Sequence, residues 1–179
     1  LSALEMQGLS HYLSFSENRT VHLYGNDTMP KWAMELEVNV KFIKHTTKGF
    51  FGNNENEKQN SQFTIEREWD NEGRKLTIAT PERAYLEMLL EVPSKVTFEH
   101  ADQLMQGLTT LSPRSLQKLL EYCQNIKAKR LFLWFADRQN YAWVNKLDRN
   151  KITLGSGNRM IAKGGKLDKK YKITVPEWL

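Results

Sequence analysis

Two glycine-rich segments near the C-terminus contain the residue types that could surround a phosphate group. They are residues 154–159, LGSGNR, and residues 163–166, KGGK. Backbone N–H groups in such turns can bind an anion, and Arg159, Lys163 and Lys166 would add positive charge. However, the only Gly-Lys pair is followed by Leu instead of Ser or Thr, and no helix is predicted after it, so the Walker pattern is absent. The glycines therefore favour turns between strands, while a loop that contacts phosphates without base specificity remains an alternative.

The distribution of charge points to the same region of the chain. Residues 144–179 contain nine Lys and Arg against three Asp and Glu, whereas residues 1–143 contain 17 against 18. This asymmetry suggests a polyanion partner, and a solvent-exposed face is the alternative interpretation. The candidate nucleic-acid contacts are Arg149, Lys151, Arg159, Lys163, Lys166, Lys169, Lys170 and Lys172.

The histidines and the single cysteine do not suggest a metal site. The four histidines are His11, His22, His45 and His100. They are scattered without the spacing of metal ligands, so we expect no metal and no cofactor. Cys123 shares an apolar helix face with Leu116, Leu119 and Leu120, which predicts a buried thiol instead of a nucleophile. One cysteine also excludes a disulfide framework within the chain and fits a reducing cytoplasm.

The carboxylates and serines offer no catalytic set either. Glu66 and Glu68 fall on the predicted solvent face of a strand, and Asp70 belongs to the turn that follows, so a solvated face is favoured over a paired general acid and base. Ser112 and Ser115 lie where a helix is predicted to begin. We therefore expect no enzyme.

Aromatic side chains interleave with cations over residues 130–146. Trp134, Phe135, Tyr141 and Trp143 lie close in sequence to Arg130, Arg138 and Lys146. Such a pattern can stack single-stranded bases. The helical spacing of the aromatic residues instead favours a position in the core.

Size and composition indicate one folded domain over residues 1–179. Of the 179 residues, 40% are hydrophobic and 11% aromatic, which is ordinary for a globular protein. No apolar run approaches the about 20 residues that a membrane span needs. Because the chain begins with Leu1 inside a helix-like run, we expect it to be a piece of a longer polypeptide.

The first half reads as strands after an initial helical segment at residues 2–12. Strands are predicted at residues 20–24, 38–43, 62–69 and 75–79, with a polar loop at 46–61 and a turn at 70–73. The alternation of Phe63, Ile65 and Trp69 with polar residues indicates an antiparallel or mixed sheet that has one solvated face.

The second half changes to helices. Thr80-Pro81, Thr97 and Ser112-Pro113 are helix starts, the third helix covers residues 114–125, and a fourth covers residues 129–138 and continues, bent, through 141–147. Two strands at 151–154 and 171–175, joined by a loop over 155–170, end the chain. The prediction is an α+β fold with a central helical cluster and a basic C-terminal hairpin.

Six segments in this order resemble one known family. They are ALEMQGLSHYL (3–13), TVHLYG (20–25), TPERA (80–84), KRLFLW (129–134), LGSGNR (154–159) and KGGKLDKKY (163–171). Together they resemble the C-terminal region of the AbiEi family, the antitoxins of type IV toxin–antitoxin systems linked to abortive phage infection.

The resemblance implies a bacterial antitoxin that also regulates its own operon. It implies an upstream winged helix-turn-helix module, which this chain lacks, and a C-terminal region that carries antitoxicity and assists promoter binding. The cognate toxin is expected to be nucleotidyltransferase-like, and direct contact with it is not implied. The resemblance brings no catalytic residues. The alternative function is a nucleic-acid-processing enzyme, either a nuclease or a phosphoryl transferase.

Overall fold

The computed structural model describes residues 1–9, 19–35, 39–52, 61–68 and 70–179. Within these ranges the first half of the chain contains short helices and four strands. They are α1 (Ser2–Met6), β1 (Arg19–Tyr24), α2 (Lys31–Met34), β2 (Val40–His45), α3 (Lys48–Phe51), β3 (Thr64–Glu68) and β4 (Lys75–Ala79). Helix α3 lies inside the segment that the sequence predicted as a polar loop. It forms there because Phe50 and Phe51 are buried in the core.

The strands pair as two separate two-stranded sheets. Strands β1 and β2 are parallel, with Arg19 opposite Val40 at one end and Tyr24 opposite His45 at the other. Strands β3 and β4 form the predicted antiparallel hairpin. The N–H groups of Glu72 and Arg74 donate to Oδ1 of Asp70 at 3.0 and 3.2 Å, as expected for the predicted turn. Trp69 lies outside the described residues.

Four longer helices follow, as the sequence predicted. They are α4 (Pro81–Leu89), α5 (Phe98–Gly107), α6 (Pro113–Tyr122) and α7 (Ile126–Gln139). The side chains of Thr97, Ser112 and Asn125 each accept a hydrogen bond from the backbone N–H three residues later, which stabilises the N-termini of α5, α6 and α7. Thr80 precedes α4 at the predicted position, but its hydroxyl makes no capping bond. Because Asn125 caps α7, α6 ends three residues earlier than predicted.

Helix α7 lies at the centre of the hydrophobic core. Its residues Phe132 and Phe135 are fully buried, and the ring of Tyr85 from α4 meets Phe132 edge-on at 5.7 Å. The hydroxyl of Tyr85 donates to the carbonyl of Ala101 at 2.8 Å, which links α4 to α5. Cys123 is buried, as predicted. Truncating a buried phenylalanine such as Phe132 typically costs about 3–5 kcal/mol of stability.

The C-terminal segment differs from the prediction in its details. Asn140 adopts a left-handed conformation (φ 52°) and ends α7, and the predicted bent continuation is instead a 3-10 turn at Val144–Lys146. A second 3-10 turn occupies Arg149–Lys151, so the predicted strand at 151–154 does not form. The hairpin pairs β5 (Lys166–Asp168) with β6 (Ile173–Val175).

The described residues therefore form an α+β fold with a C-terminal hairpin, as predicted. Among them, no helix combines the length and apolar character that crossing a membrane requires.

Candidate nucleic-acid interface

A buried arginine in α7 holds the basic C-terminal segment in place. Arg130 is only 1% exposed. Its Nε donates to the carbonyl of Leu154 at 2.8 Å, and its Nη1 donates to the carbonyls of Gly157 and Lys172 at 2.8 and 3.1 Å. Burial lowers the pKa of Arg130, and the neighbouring charge of Arg159 lowers it further, yet a guanidinium stays protonated in proteins. The three carbonyls therefore surround a permanent cation that fixes the backbone around it.

Strand β6 is the centre of a small three-segment arrangement. It pairs with β5 on one side, and on the other side residues 159–162 run parallel to it. The N–H of Arg159 donates to the carbonyl of Lys172 at 2.9 Å, and the N–H of Thr174 donates to the carbonyl of Arg159 at 3.0 Å. Ile173 and Val175 are buried, so β6 anchors the arrangement to the core.

The glycines of this region serve its turns, as the sequence favoured. Gly155, Gly157 and Gly164 have positive φ angles of 64°, 75° and 74°, a conformation that other residues rarely adopt. At Gly165, an added Cβ would lie 2.1 Å from the carbonyl oxygen of Val175. The segment 163–166 leads into strand β5, so a helix N-terminus that would complete a phosphate-binding loop does not follow it.

Two of the eight candidate cations are engaged by an acidic residue on α7. Asp137 accepts hydrogen bonds from Arg149 and Lys170, and from the hydroxyl of Tyr171 at 2.6 Å. Arg149 also donates to the Tyr171 hydroxyl. Burial alone would raise the pKa of Asp137, but the bonds from Lys170 and Tyr171 and the charge of Arg149 outweigh it and lower that pKa. Arg149 and Lys170 are therefore held by the fold.

The remaining candidates divide into one weakly paired residue and five free ones. Lys151 Nζ lies 3.7 Å from Oδ2 of Asp148, and both side chains are exposed. Five exposed cations have no ion pair or side-chain hydrogen bond with any described residue, and these are Arg159, Lys163, Lys166, Lys169 and Lys172. We call them the hairpin cations. Lys166 lies in β5 and Arg159 in the segment beside β6, whereas Lys163, Lys169 and Lys172 lie in the connecting turns.

The aromatic residues next to this region are part of the core, as the sequence favoured. Trp134 is 6% exposed and Trp143 is 4% exposed, and Trp143 Nε1 donates to the carbonyl of Leu108 at 3.0 Å. The guanidinium of Arg138 lies 4.9 Å from the centre of the Trp134 ring and covers it. Neither indole is available to stack on a base.

The acidic residues near the first hairpin are solvated, also as expected. Glu66 pairs with Lys75 at 2.9 Å, and both side chains are exposed. Asp70 accepts backbone hydrogen bonds in the turn. The carboxylates of β3 therefore do not converge on a site.

Two of the histidines come together with a glutamate in the fold, although their spacing in the sequence did not suggest it. The sequence showed no ligand spacing, yet in the structure His22, His45 and Glu91 each place a ligand atom within 4.8 Å of the other two. The spacing was uninformative because the parallel pairing of β1 with β2 joins residues 23 positions apart. His11 lies outside the described residues.

Sequence interpretation missed the structural roles of Arg130 and Asp137, the two residues that hold the basic segment. Arg130 was considered only as a cation beside aromatic residues, and it directly precedes the apolar run at residues 131–136 of α7. No local pattern pointed to Asp137, since its partners are 12 to 34 residues away.

The described residues form an α+β domain whose C-terminal hairpin region carries five exposed cations that make no ion pair with another described residue. Residues 18–176 match the family described as "Transcriptional regulator, AbiEi antitoxin, Type IV TA system". The chain therefore belongs to the AbiEi antitoxin family, as its sequence segments indicated. That description names a regulator and an antitoxin, which is not a class of enzyme. Searches of curated proteins and of solved structures gave no match.

Proposed function

We propose that this chain is the domain of a type IV antitoxin that counteracts a nucleotidyltransferase-like toxin and assists binding to promoter DNA of its own operon. The observation that carries the DNA-binding part is the set of five hairpin cations, which are exposed and unpaired among the described residues. We place its action in the cytoplasm, where the proposed toxin and the promoter DNA would both be found.

Ion pairs within the domain make three of the eight candidate cations less suited to contact DNA. Arg149 and Lys170 would have to give up their bonds to Asp137 before binding phosphate, and Lys151 is opposed by Asp148. The hairpin cations can bind phosphate without first breaking an ion pair to another described residue. They contact phosphates without reading bases, so they add affinity and leave sequence recognition to other parts of the protein.

The salt dependence of DNA binding tests this proposal. Each phosphate contact contributes about −0.9 to the slope of log K against log salt concentration, so five contacts contribute about −4.5. Fluorescence anisotropy with labelled promoter duplex measures this slope. Replacing Lys163, Lys166, Lys169 and Lys172 with Glu should abolish most of it.

A matched control changes the same number of charges elsewhere. Exposed residues Lys31, Lys48, Arg114 and Lys118 lie on α2, α3 and α6. Their replacement with Glu alters net charge equally but leaves the hairpin intact. Equal losses of DNA affinity in both variants would contradict a specific role for the hairpin.

Co-expression with the neighbouring toxin gene tests antitoxicity separately. We expect the chain to restore growth, and the variant with four hairpin lysines replaced shows whether the same surface is used. Failure of a soluble chain to restore growth would place antitoxicity elsewhere. The alternative is a nuclease or phosphoryl transferase, and among the described residues no group of three carboxylates converges to hold its metal ions.

A further inference from the structure

His22 and His45 meet on one face of the parallel sheet. The register places His22 opposite Ile43 and His45 opposite Tyr24, so the two histidines are diagonal neighbours on the same face. His22 Nδ1 lies 2.8 Å from His45 Nε2. The ring of Tyr24 stacks on that of His45 with centroids 4.8 Å apart, which restricts the orientation of His45.

A carboxylate from the helical cluster completes the group. Glu91 follows α4, and its Oε1 lies 3.9 Å from His45 Nδ1. Its other oxygen, Oε2, accepts from Lys95 Nζ at 2.9 Å, so Oε1 is the atom that faces the imidazoles. The Glu91 side chain is 14% exposed. Two imidazoles and one carboxylate therefore converge from elements far apart in sequence.

We propose that His22, His45 and Glu91 bind a divalent transition-metal ion of the zinc class. Two imidazole nitrogens and a carboxylate oxygen are ligands that Zn²⁺ and the neighbouring first-row ions accept. Nitrogens bound at about 2.0–2.1 Å to a tetrahedral ion lie roughly 3.3–3.4 Å apart. The 2.8 Å between His22 Nδ1 and His45 Nε2 is the length of a hydrogen bond, so the two rings must separate by roughly half an ångström to admit an ion.

Without an ion, one N–H···N hydrogen bond joins the two imidazole rings. The two rings are inclined by 11° with centroids 5.0 Å apart, so one imidazole N–H points almost directly at the nitrogen of the other. When the ion binds, the rings turn until both lone pairs face it, and the bridging proton moves to the outer nitrogen of its own ring. Each imidazole stays neutral and keeps one proton, so binding of the ion releases no proton from these two rings.

The site is reachable from solvent, and a bound ion would have a structural consequence. His22 lines a cavity of about 1000 Å³ between β1, β4 and α4, and the side chains of His45 and Glu91 are 20% and 14% exposed. An ion bound there joins the parallel sheet to the segment after α4, and thereby to the helical cluster. The site is separate from the hairpin cations and does not depend on the proposed DNA contacts.

Metal titration of chelator-treated protein tests the site. Isothermal titration with Zn²⁺ at pH 7.5, with bound metal counted by mass spectrometry, should show one ion per chain. His22→Gln, His45→Gln and Glu91→Gln should each lower the affinity at least tenfold. His100→Gln removes a histidine outside the group and should leave the affinity unchanged. Zn²⁺ should raise the melting temperature of the unsubstituted chain and of His100→Gln, but not of the three ligand variants.

A second measurement keeps the test decisive if a ligand variant fails to fold. Imidazole ¹⁵N signals of the unsubstituted chain should change for His22 and His45 on addition of Zn²⁺, and the signals of His100 should not. The proposal would be overturned if Zn²⁺ did not bind stoichiometrically, or if binding persisted in both histidine variants. It would also be overturned if the ¹⁵N signals of His22 and His45 did not move.

Discussion

Nη1 of Arg130 donates to the carbonyl oxygen of Lys172 at 3.1 Å, so a buried cation in α7 holds the backbone of an exposed cation on the hairpin. Lys172 adopts a left-handed conformation with φ 53° at this point. Such a conformation persists in a residue other than glycine only where the surroundings support it. The basic segment is therefore a positioned element of the fold.

Replacing Arg130 with Leu should destabilise the protein strongly. The partly buried carbonyls of Leu154 and Gly157 would lose the donor from Arg130, and that of Lys172 would keep only the N–H of Arg159, so we expect a loss of about 3 kcal/mol. Urea denaturation measures this loss. Arg114→Leu, at an exposed position on α6, is the control and should change stability by less than about 0.5 kcal/mol. Equal stability of the two variants would show that the three contacts contribute nothing.

Asp137→Asn should reduce stability in a manner that depends on pH. The folded-state pKa of Asp137 is lowered, so its stabilisation is complete above the ordinary aspartate pKa of about 3.9 and disappears as the pH falls through the lower value. We expect a deficit of about 1–2 kcal/mol at pH 7 that disappears as the pH falls through the lowered pKa of Asp137. Denaturation curves at several pH values test this, and a deficit independent of pH would contradict it.

Gly165→Ala should disrupt the hairpin between β5 and β6. The added Cβ would lie 2.1 Å from the carbonyl oxygen of Val175, and backbone atoms cannot yield without breaking the strand pairing. We expect a loss of about 2–4 kcal/mol in thermal or urea unfolding. Gly49→Ala is the matched control, because nothing lies within 4 Å of its added Cβ. That variant should be neutral or slightly stabilising.

Two threonines that precede helices should respond differently to replacement by valine. Thr97 Oγ1 accepts from the N–H of His100 at 3.2 Å, so Thr97→Val should lose about 1 kcal/mol. The Thr80 hydroxyl is buried without a hydrogen-bond partner among the described residues. Thr80→Val should therefore be neutral or stabilising, because it removes a desolvated polar group. The comparison needs only two denaturation curves beside that of the unsubstituted chain.

Cys123 should not react with thiol reagents while the protein is folded. Burial raises the pKa of its thiol to about 11, and the thiolate is the reactive form. Ellman's reagent at pH 8 should label the cysteine only as fast as the protein opens or unfolds. Rapid labelling in native buffer would contradict the buried position.

Local patterns predicted most of the elements and both hairpins, but not the parallel pairing of β1 with β2. The Thr97 and Ser112-Pro113 signals placed helix starts correctly because an N-cap bond involves residues only three apart. The strand expected at residues 151–154 was wrong because the Leu154 carbonyl is taken by Arg130, which lies 24 residues away. No local pattern contains that contact.

The sequence by itself determined the α+β class, the helical cluster around α7, the buried cysteine and the family. Each of these follows from spacing within one element or from short segments in order. Only the tertiary structure decided which cations are free and which are held by Asp137, and it alone brought His22 to His45. The physical reason is that side-chain contacts between distant elements depend on how strands pair and helices pack. A parallel register or a buried carbonyl leaves no trace in the spacing of the residues involved.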